Sequence, residues 1–392
     1  MKYAYAGAVL AAVALGLIGW RYGWFARSIG DNGGTGVVLP ANLQELSWPV
    51  FHGDQGFTGR AAANLPSKPR LLWKFATGQA VSSSPAIGGG KVFVGSDDGS
   101  VYAIALASGA KVWQFKTDSP VQSPPCLIGP TVFIGGDEGF VYALDAASGD
   151  LKWKFEAGAK IVGPINSAVI AGKPCVLAGS YDNNVYAIDA LTGKEVWKVQ
   201  TGNYVNGGPA IGGGKVVFGG CDAILHVVSL EDGVALREIE GGAYIPGSPA
   251  IDGADVFFGN YGNEFRCADV EGGTTRWTAT GKAAFFATPA AAADRVVVGA
   301  RDGMVHCYKR SNGDELWSFE AHGEVDSSPV ICGSEVLAAC KGGWLYILDL
   351  AGGQQKWSYE LGEEIVSSPA VVDGLFVIGC GDGCVYAFGQ AR

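Results

Sequence analysis

From Ser83 onward the chain alternates short apolar runs with glycine-rich breaks, as in "SSPAI", GGG, "KVFVG", SDDG, "SVYAI", ALASGA, "KVWQF". Such runs, rich in β-branched and aromatic residues and bounded by turn formers, predict strands, four to a unit. No run shows the 3.6-residue period that a helical solenoid would need. Aligned on the tryptophan of the fourth run, the units fall at Trp73, Trp113, Trp153, Trp197, Leu236 in place of tryptophan, Trp277, Trp317 and Trp357. A proline follows each, at Pro85, Pro124, Pro164, Pro209, Pro249, Pro289, Pro329 and Pro369. Both markers count eight units. A four-stranded unit repeated radially at a period of about 40 residues predicts an all-β fold, an eight-bladed β-propeller of antiparallel blades. The last unit stops after its third run, and the first tryptophan run, "RLLWKFATG", precedes any complete unit. Residues 70–77 are therefore expected as the outer strand of the blade begun by residues 366–388, closing the ring with the two ends of the chain.

Composition adds to this picture in three places. The 61 glycines suit many tight turns, where positive φ is required, and only 17% of residues are charged against 48% hydrophobic, as for strands buried on both faces. A net charge of −10 with no lysine or arginine cluster argues against nucleic acid as a partner. Nine cysteines, scattered singly, do not form a disulfide framework; Cys267 and Cys307 stand where another unit has Ala103, Cys340 and Cys380 where it has Ser96, and Cys380 and Cys384 flank one turn.

Residues 1–30 lie outside the repeat. Tyr3 to Trp20 is an uncharged apolar stretch long enough to span a bilayer, followed by Arg21 and Arg27 among Tyr22, Trp24 and Phe25. No small-x-small cleavage site follows it, and the first cysteine is Cys126, so a retained anchor is expected rather than a cleaved signal or a lipoprotein. The expected organisation is an anchor over 1–30, a linker and lead-in over 31–66, and the propeller over 67–392.

The recurring pattern of "GFVYALDAASGDLKW" and "NNVYAIDALTGKEVW" resembles the pyrroloquinoline-quinone-type propeller repeat, and "SWPVFHGDQGFTGR" resembles the lead-in of the same proteins. The resemblance covers about residues 47–389. It implies either a quinoprotein dehydrogenase with a bound quinone and calcium, or a non-catalytic scaffold similar to the outer-membrane β-barrel assembly lipoprotein. Such dehydrogenases draw their quinone site from insertions between strands and a pair of adjacent cysteines. Here the units are uniform in length, no Cys-Cys pair occurs and there is no Cys-x-x-Cys-His haem site. No catalytic residue and no cofactor are therefore expected, with the quinone as the alternative. The histidines His52, His226, His306 and His322 lack metal-ligand spacing, and turns such as "SDDG" lack the ligand run of a calcium loop. Asp145 and Asp189 are expected to bond the backbone of their own hairpins.

Departures from the repeat supply the candidate binding residues. At the position of Tyr102, Tyr142, Tyr186, Tyr346 and Tyr386, three neighbouring units have His226, Arg266 and His306. The loops entering three consecutive blades read "NYVNGGP", "AYIPGSP" and "AAFFATP", putting Tyr204, Tyr244, Phe285 and Phe286 beside an acidic arc of Glu324, Asp326, Glu363 and Glu364. The fourth residue before most of these prolines is apolar, so Phe285 is expected in the core and Tyr204, Tyr244 and Phe286 at the surface. The expected protein is a single-pass bacterial inner-membrane scaffold, anchored through residues 3–20, with its propeller in the periplasm and envelope proteins as partners. A quinone dehydrogenase, a small-ligand sensor and a cytoplasm-facing propeller are the alternatives.

Overall fold

The structure, a computed structural model, describes residues 37–38 and 42–391. The anchor expected over residues 1–30 lies outside the described residues; among those described, no helix is long and apolar enough to cross a membrane.

Eight antiparallel sheets follow one another along the chain. With strands lettered a to d from the channel outward, blade 1 consists of Ala86–Gly88, Lys91–Ser96, Ser100–Ala105 and Lys111–Lys116. Blades 2 to 7 repeat it from inner strands that begin at Cys126, Asn166, Ala210, Ala250, Ala290 and Val330. Blade 8 joins Ala370–Val372, Leu375–Cys380 and Cys384–Ala391 to Pro69–Ala76 as strand d, with Phe75 opposite Val385, so the chain's ends close the ring as expected. Val37–Val38 extends the same blade by pairing with Gln390 and Ala391.

Strands b and c are buried along nearly their whole length because blades stack on both of their faces; strand d of blade 1 buries Trp113, half-buries Phe115 against the next blade and exposes its other residues. The tryptophan links neighbouring blades. Trp73 Nε1 donates to the Leu106 carbonyl at 2.8 Å, Trp277 to Arg310 at 2.8 Å and Trp317 to Leu350 at 2.9 Å, each in the next blade. The c–d turn beneath each ring needs glycine twice over. Gly109 has φ 71°, and a Cβ there would lie 2.8 Å from the Trp73 ring. Nearer the channel, Ser83 Oγ donates to Ser123 O, Ser123 Oγ to Gly163 O, and Ser367 Oγ back to Ser83 O across the closure.

The register corrects both repeat markers. In blade 4 Val227 faces Arg237, as Ala103 faces Trp113, so Arg237 and not Leu236 replaces the tryptophan; its side chain lies over Gly273 as the rings lie over the other turn glycines. Cys126 begins blade 2 where Ala86 begins blade 1, so the equivalents of Pro85 are Pro125 and, in blade 3, Ile165. The one long repeat, 44 residues from Trp153 to Trp197, contains an a–b hairpin with longer strands, Asn166–Ile170 and Lys173–Gly179, that carries exposed Val169.

The segment expected as a lead-in is part of the ring's interior. Trp48 pairs with Ile87 in blade 1, and the carbonyl of Pro49 accepts from Leu127 in blade 2. Gln55 O then accepts from the Asn166 side chain in blade 3 and from Ile211 N in blade 4. Gly56, Thr58, Gly59 and Asn64 accept from Ile251, Ala291, Ile331 and Gly374 in blades 5 to 8. One short stretch thus visits every blade in order. Phe57 is fully buried at its centre, and His52, stacked on Phe51, donates through Nδ1 to the Phe57 carbonyl at 3.0 Å. Burial holds the His52 imidazole neutral by lowering its pKa from 6.5 to about 4.

Candidate interaction site at the channel mouth

Two kinds of loop meet at the end of the channel that the lead-in leaves open: the d–a loops between blades and the b–c turns within them. Each turn rests on a loop through a backbone bond, such as Tyr261 N to Tyr244 O and Arg301 N to Ala284 O. The third residue before each inner-strand proline position points into the channel, which narrows here to a cavity of about 180 Å³ lined by Gln122, Asn206, Phe286 and Asp326 among others and closed by Phe51.

Tyr204, Tyr244 and Phe286 come together on this face, and Phe285 is buried as expected. Tyr204 and Tyr244 are about half exposed, 49% and 52%. Tyr204 stacks on Tyr181 with ring centres 5.1 Å apart and planes 6° from parallel. Tyr244 meets Tyr261 edge-on, and Tyr261 meets Phe286 edge-on at 4.8 Å. The Arg301 guanidinium lies 3.3 Å over the Phe286 ring and is gripped by Asp326 through Nε and a terminal nitrogen, at 3.0 and 2.8 Å. Tyr181, Tyr261 and Arg301 were not among the residues singled out from the sequence. All three occupy the second position of the b–c turn, along with Asp97, Asp137, Cys221 and Lys341, and that turn position varies from unit to unit as much as the loops do.

The acidic arc is only partly free. Lys341 bridges Glu324 and Asp326 at 2.9 and 2.8 Å. Burial works to raise the Asp326 carboxyl, but the Arg301 and Lys341 donors outweigh it and hold its pKa below the ordinary value. Glu363 and Glu364 are exposed and have no ion pair among the described residues.

His226, Arg266 and His306 are not in this arc. They lie within the blade-to-blade contacts, where tyrosine in the other blades donates to a turn carboxylate, as Tyr102 does to Asp98 at 2.6 Å. His226 Nε2 stands 2.8 Å from Asp222 and His306 Nε2 3.3 Å from Asp302, the same pairing with a smaller ring; Arg266 binds Glu264 at 2.7 Å. Their partners across the interface explain the cluster. Phe75, Phe115, Phe155 and Phe319 pack edge-on against the tyrosine of the following blade. In strands d of blades 3 to 5 the matching residues are Val199, Ile239 and Ala279, so ring and partner change together. Ala279 fills least, and a cleft of about 380 Å³ opens between it and His306.

Asp145 and Asp189 cap their own turns, accepting from Ala147 and Ser148 and from Leu191 and Thr192; these bonds pull the Asp145 carboxyl down to about 2. The residues do not fit a quinone with its cation. The lead-in fills the channel, the cavity left at its mouth is below the roughly 300–1,000 Å³ of small-molecule sites, and among the described residues no three His, Cys, Asp or Glu side chains are grouped to hold a metal ion.

A closed ring of eight four-stranded antiparallel blades defines the fold as a β-propeller. The chain belongs to the family described as outer membrane protein assembly factor BamB, whose sequence model matches residues 60–169, 97–319 and 266–391. Among solved structures it is similar to BamB from Moraxella catarrhalis, at 19% identity over 82% of this chain and all of that one, with a TM-score of 0.69. It is also similar to the computationally designed Ika8 protein, at 20% identity over 82% and 99% of the two chains, TM-score 0.72. A third likeness is quinohemoprotein alcohol dehydrogenase from Comamonas testosteroni, at 15% identity over 90% and 82%, TM-score 0.73. At these identities the likenesses show the fold alone. No curated protein matches the sequence.

Proposed function

We propose that the protein is a non-catalytic scaffold of bacterial envelope assembly that holds a partner protein at the open channel mouth, with its propeller in the periplasm and residues 3–20 as the inner-membrane anchor. The observation that carries this reading is the set of aromatic rings on four consecutive blades, Tyr181 stacked on Tyr204 and Tyr244 packed through Tyr261 onto Phe286, of which Tyr204, Tyr244 and Tyr261 are about half exposed where a monomer gains nothing from exposing them. Membership of the BamB family supports the assembly role. The quinone-dehydrogenase alternative has a likeness of fold to support it, but no donor set.

Photo-crosslinking in cells from Tyr204 and, as a control, from Val169 on the opposite end of blade 3 tests the reading. Adducts with envelope proteins are expected from Tyr204 only; equal yields from both positions would sink it. Protease treatment of spheroplasts should digest the propeller without lysis, and protection would refute the periplasmic placement. Tyr204→Ala combined with Tyr244→Ala is expected to weaken binding of the captured partner at least tenfold, about 1.4 kcal/mol, without lowering the melting temperature.

A further inference from the structure

The mouth is also short of hydrogen-bond donors, and that points to the chemistry of what it binds. Five side-chain oxygens are buried without a partner: Asp98 Oδ1, Asp137 Oδ1, Glu138 Oε2, Asn183 Oδ1 and Asn206 Oδ1. All are acceptors, and all lie in the b–c turns or d–a loops of blades 1 to 4. They are shut off from solvent, with Asp98 and Glu138 held at their other oxygens by Tyr102 and Tyr142 in the blade walls, and they add negative potential beneath the mouth. Around blades 1 and 2 the same turns set Asp97, Asp98, Asp118, Asp137 and Glu138 against Lys160, which occupies only Oδ2 of Asp137. On the other side of blade 1, in the loop entering blade 8, Glu363 and Glu364 have no ion pair among the described residues. On the same rim stand the faces of Tyr204 and Tyr244, which attract cations.

One cation is already held in this way. Arg301 sits on the Phe286 ring with its guanidinium against Asp326, between blades 6 and 7. The rings of Tyr204 and Tyr244 are about half exposed, and among the described residues no cation lies over either. The cavity of about 180 Å³ at the centre is too small for a cofactor and admits a single side chain, with Asn206 in its wall and Asp326 at its edge.

We infer that the mouth receives an extended, lysine- or arginine-bearing segment of the partner protein, its cationic side chains lying over Tyr204 and Tyr244 and against the acidic turns of the rim. This rests on the scaffold reading above and names the partner's chemistry. Complementary charge would also raise the rate of encounter and make it sensitive to salt.

The probe is a fluorescein-labelled twelve-residue peptide of alternating lysine and serine, with glutamate–serine and all-serine counterparts, titrated by anisotropy into the full-length protein in detergent. The lysine peptide alone is expected to bind, more weakly at 300 mM than at 50 mM salt. Unspecific attraction to an acidic protein is separated by Tyr204→Ala with Tyr244→Ala, which leaves the charge unchanged and is expected to lower affinity at least fivefold, while Tyr204→Phe with Tyr244→Phe retains it. Cys221, the one cysteine of nine that is not buried, lies beside Tyr204 and gives a second readout: the lysine peptide should slow its reaction with a thiol reagent. Equal affinity of the alanine variant, no protection of Cys221, or preference for the glutamate peptide would overturn the inference. So would capture of a protein from Tyr204 whose contact segment is acidic or apolar, an outcome that leaves the scaffold reading standing.

Discussion

Refilling the contact between blades 5 and 6 puts the account of blade packing to its hardest test. At four interfaces a phenylalanine of strand d meets the next blade's tyrosine edge-on with ring centres 5.0–5.5 Å apart. Here Ala279 and His306 stand instead at a cleft of about 380 Å³. Ala279→Phe with His306→Tyr restores the pair, and the new hydroxyl has Asp302 to donate to, as Tyr102 has Asp98. Burying a phenylalanine is worth about 1.5–3 kcal/mol and an edge-on pair about 0.5–1.5 kcal/mol, against about 0.5–1 kcal/mol of lost rotamer freedom. The double variant is therefore expected to be more stable by about 1–4 kcal/mol, read as the urea midpoint of the tryptophan fluorescence transition. His306→Tyr alone gains no ring partner and should change little, so a double-mutant cycle should give a favourable coupling of at least about 0.5 kcal/mol. A double variant no more stable than the native chain, or single effects that simply add, would refute the pairing argument and return His306 to the residues with an independent role.

Deleting residues 67–78 removes strand d of blade 8 and bares the edge of Cys384–Ala391, so the truncated protein should melt lower and aggregate, checked by light scattering during a thermal ramp. Ala223 holds φ 63° at a b–c turn position where blades 1, 2, 6, 7 and 8 have glycine, so Ala223→Gly should raise stability by about 0.5–1 kcal/mol in spite of glycine's greater freedom when unfolded; a lower urea midpoint would contradict this. Between its folded pKa of about 4 and its unfolded value of 6.5, His52 binds a proton only when the chain is unfolded. Stability should thus rise with pH across that window by on the order of 3 kcal/mol, and His52→Gln should flatten the slope between pH 4.5 and 7.

The ring was legible from sequence because its constraints repeat. Six tryptophans reach the next blade's c–d turn over a glycine, and repetition at a fixed spacing turns a weak signal into a count. The misassigned positions are those where a local rule gave way. Without a tryptophan to mark the position, the apolar Leu236 reads as its replacement, although the strand pairing puts Arg237 there. Two adjacent prolines, Pro124 and Pro125, hid the shift in blade 2. The mouth was half legible: Tyr204, Tyr244 and Phe286 stand out against apolar and small residues, but Tyr181, Tyr261 and Arg301 sit in turns where polar residues are ordinary. Only stacking across blades joins the two sets. His226, Arg266 and His306 misled for the opposite reason, since their partners Val199, Ile239 and Ala279 are about 27 residues earlier in the chain and look unremarkable alone.

That contrast separates the parts of the molecule that can vary from those that cannot. A residue in the wall between blades is bound to a neighbour on the adjacent unit, so it changes only when its partner does, and the outcome is a matched pair such as Val199 with His226. The lead-in is bound still more tightly, since its backbone bonds the inner strand of one blade after another and a change in any blade's height would break the spiral. At the open mouth neither restraint applies: the second turn position and the third residue before the inner proline touch each other and solvent but set no spacing. Aromatic rings, an ion-pair network and unpaired acceptors accumulate there, across consecutive blades and at one end only. The frame is held by matched pairwise contacts between blades, while the aromatic and charged residues that vary without a matched partner gather on one rim, above a channel that the lead-in occupies.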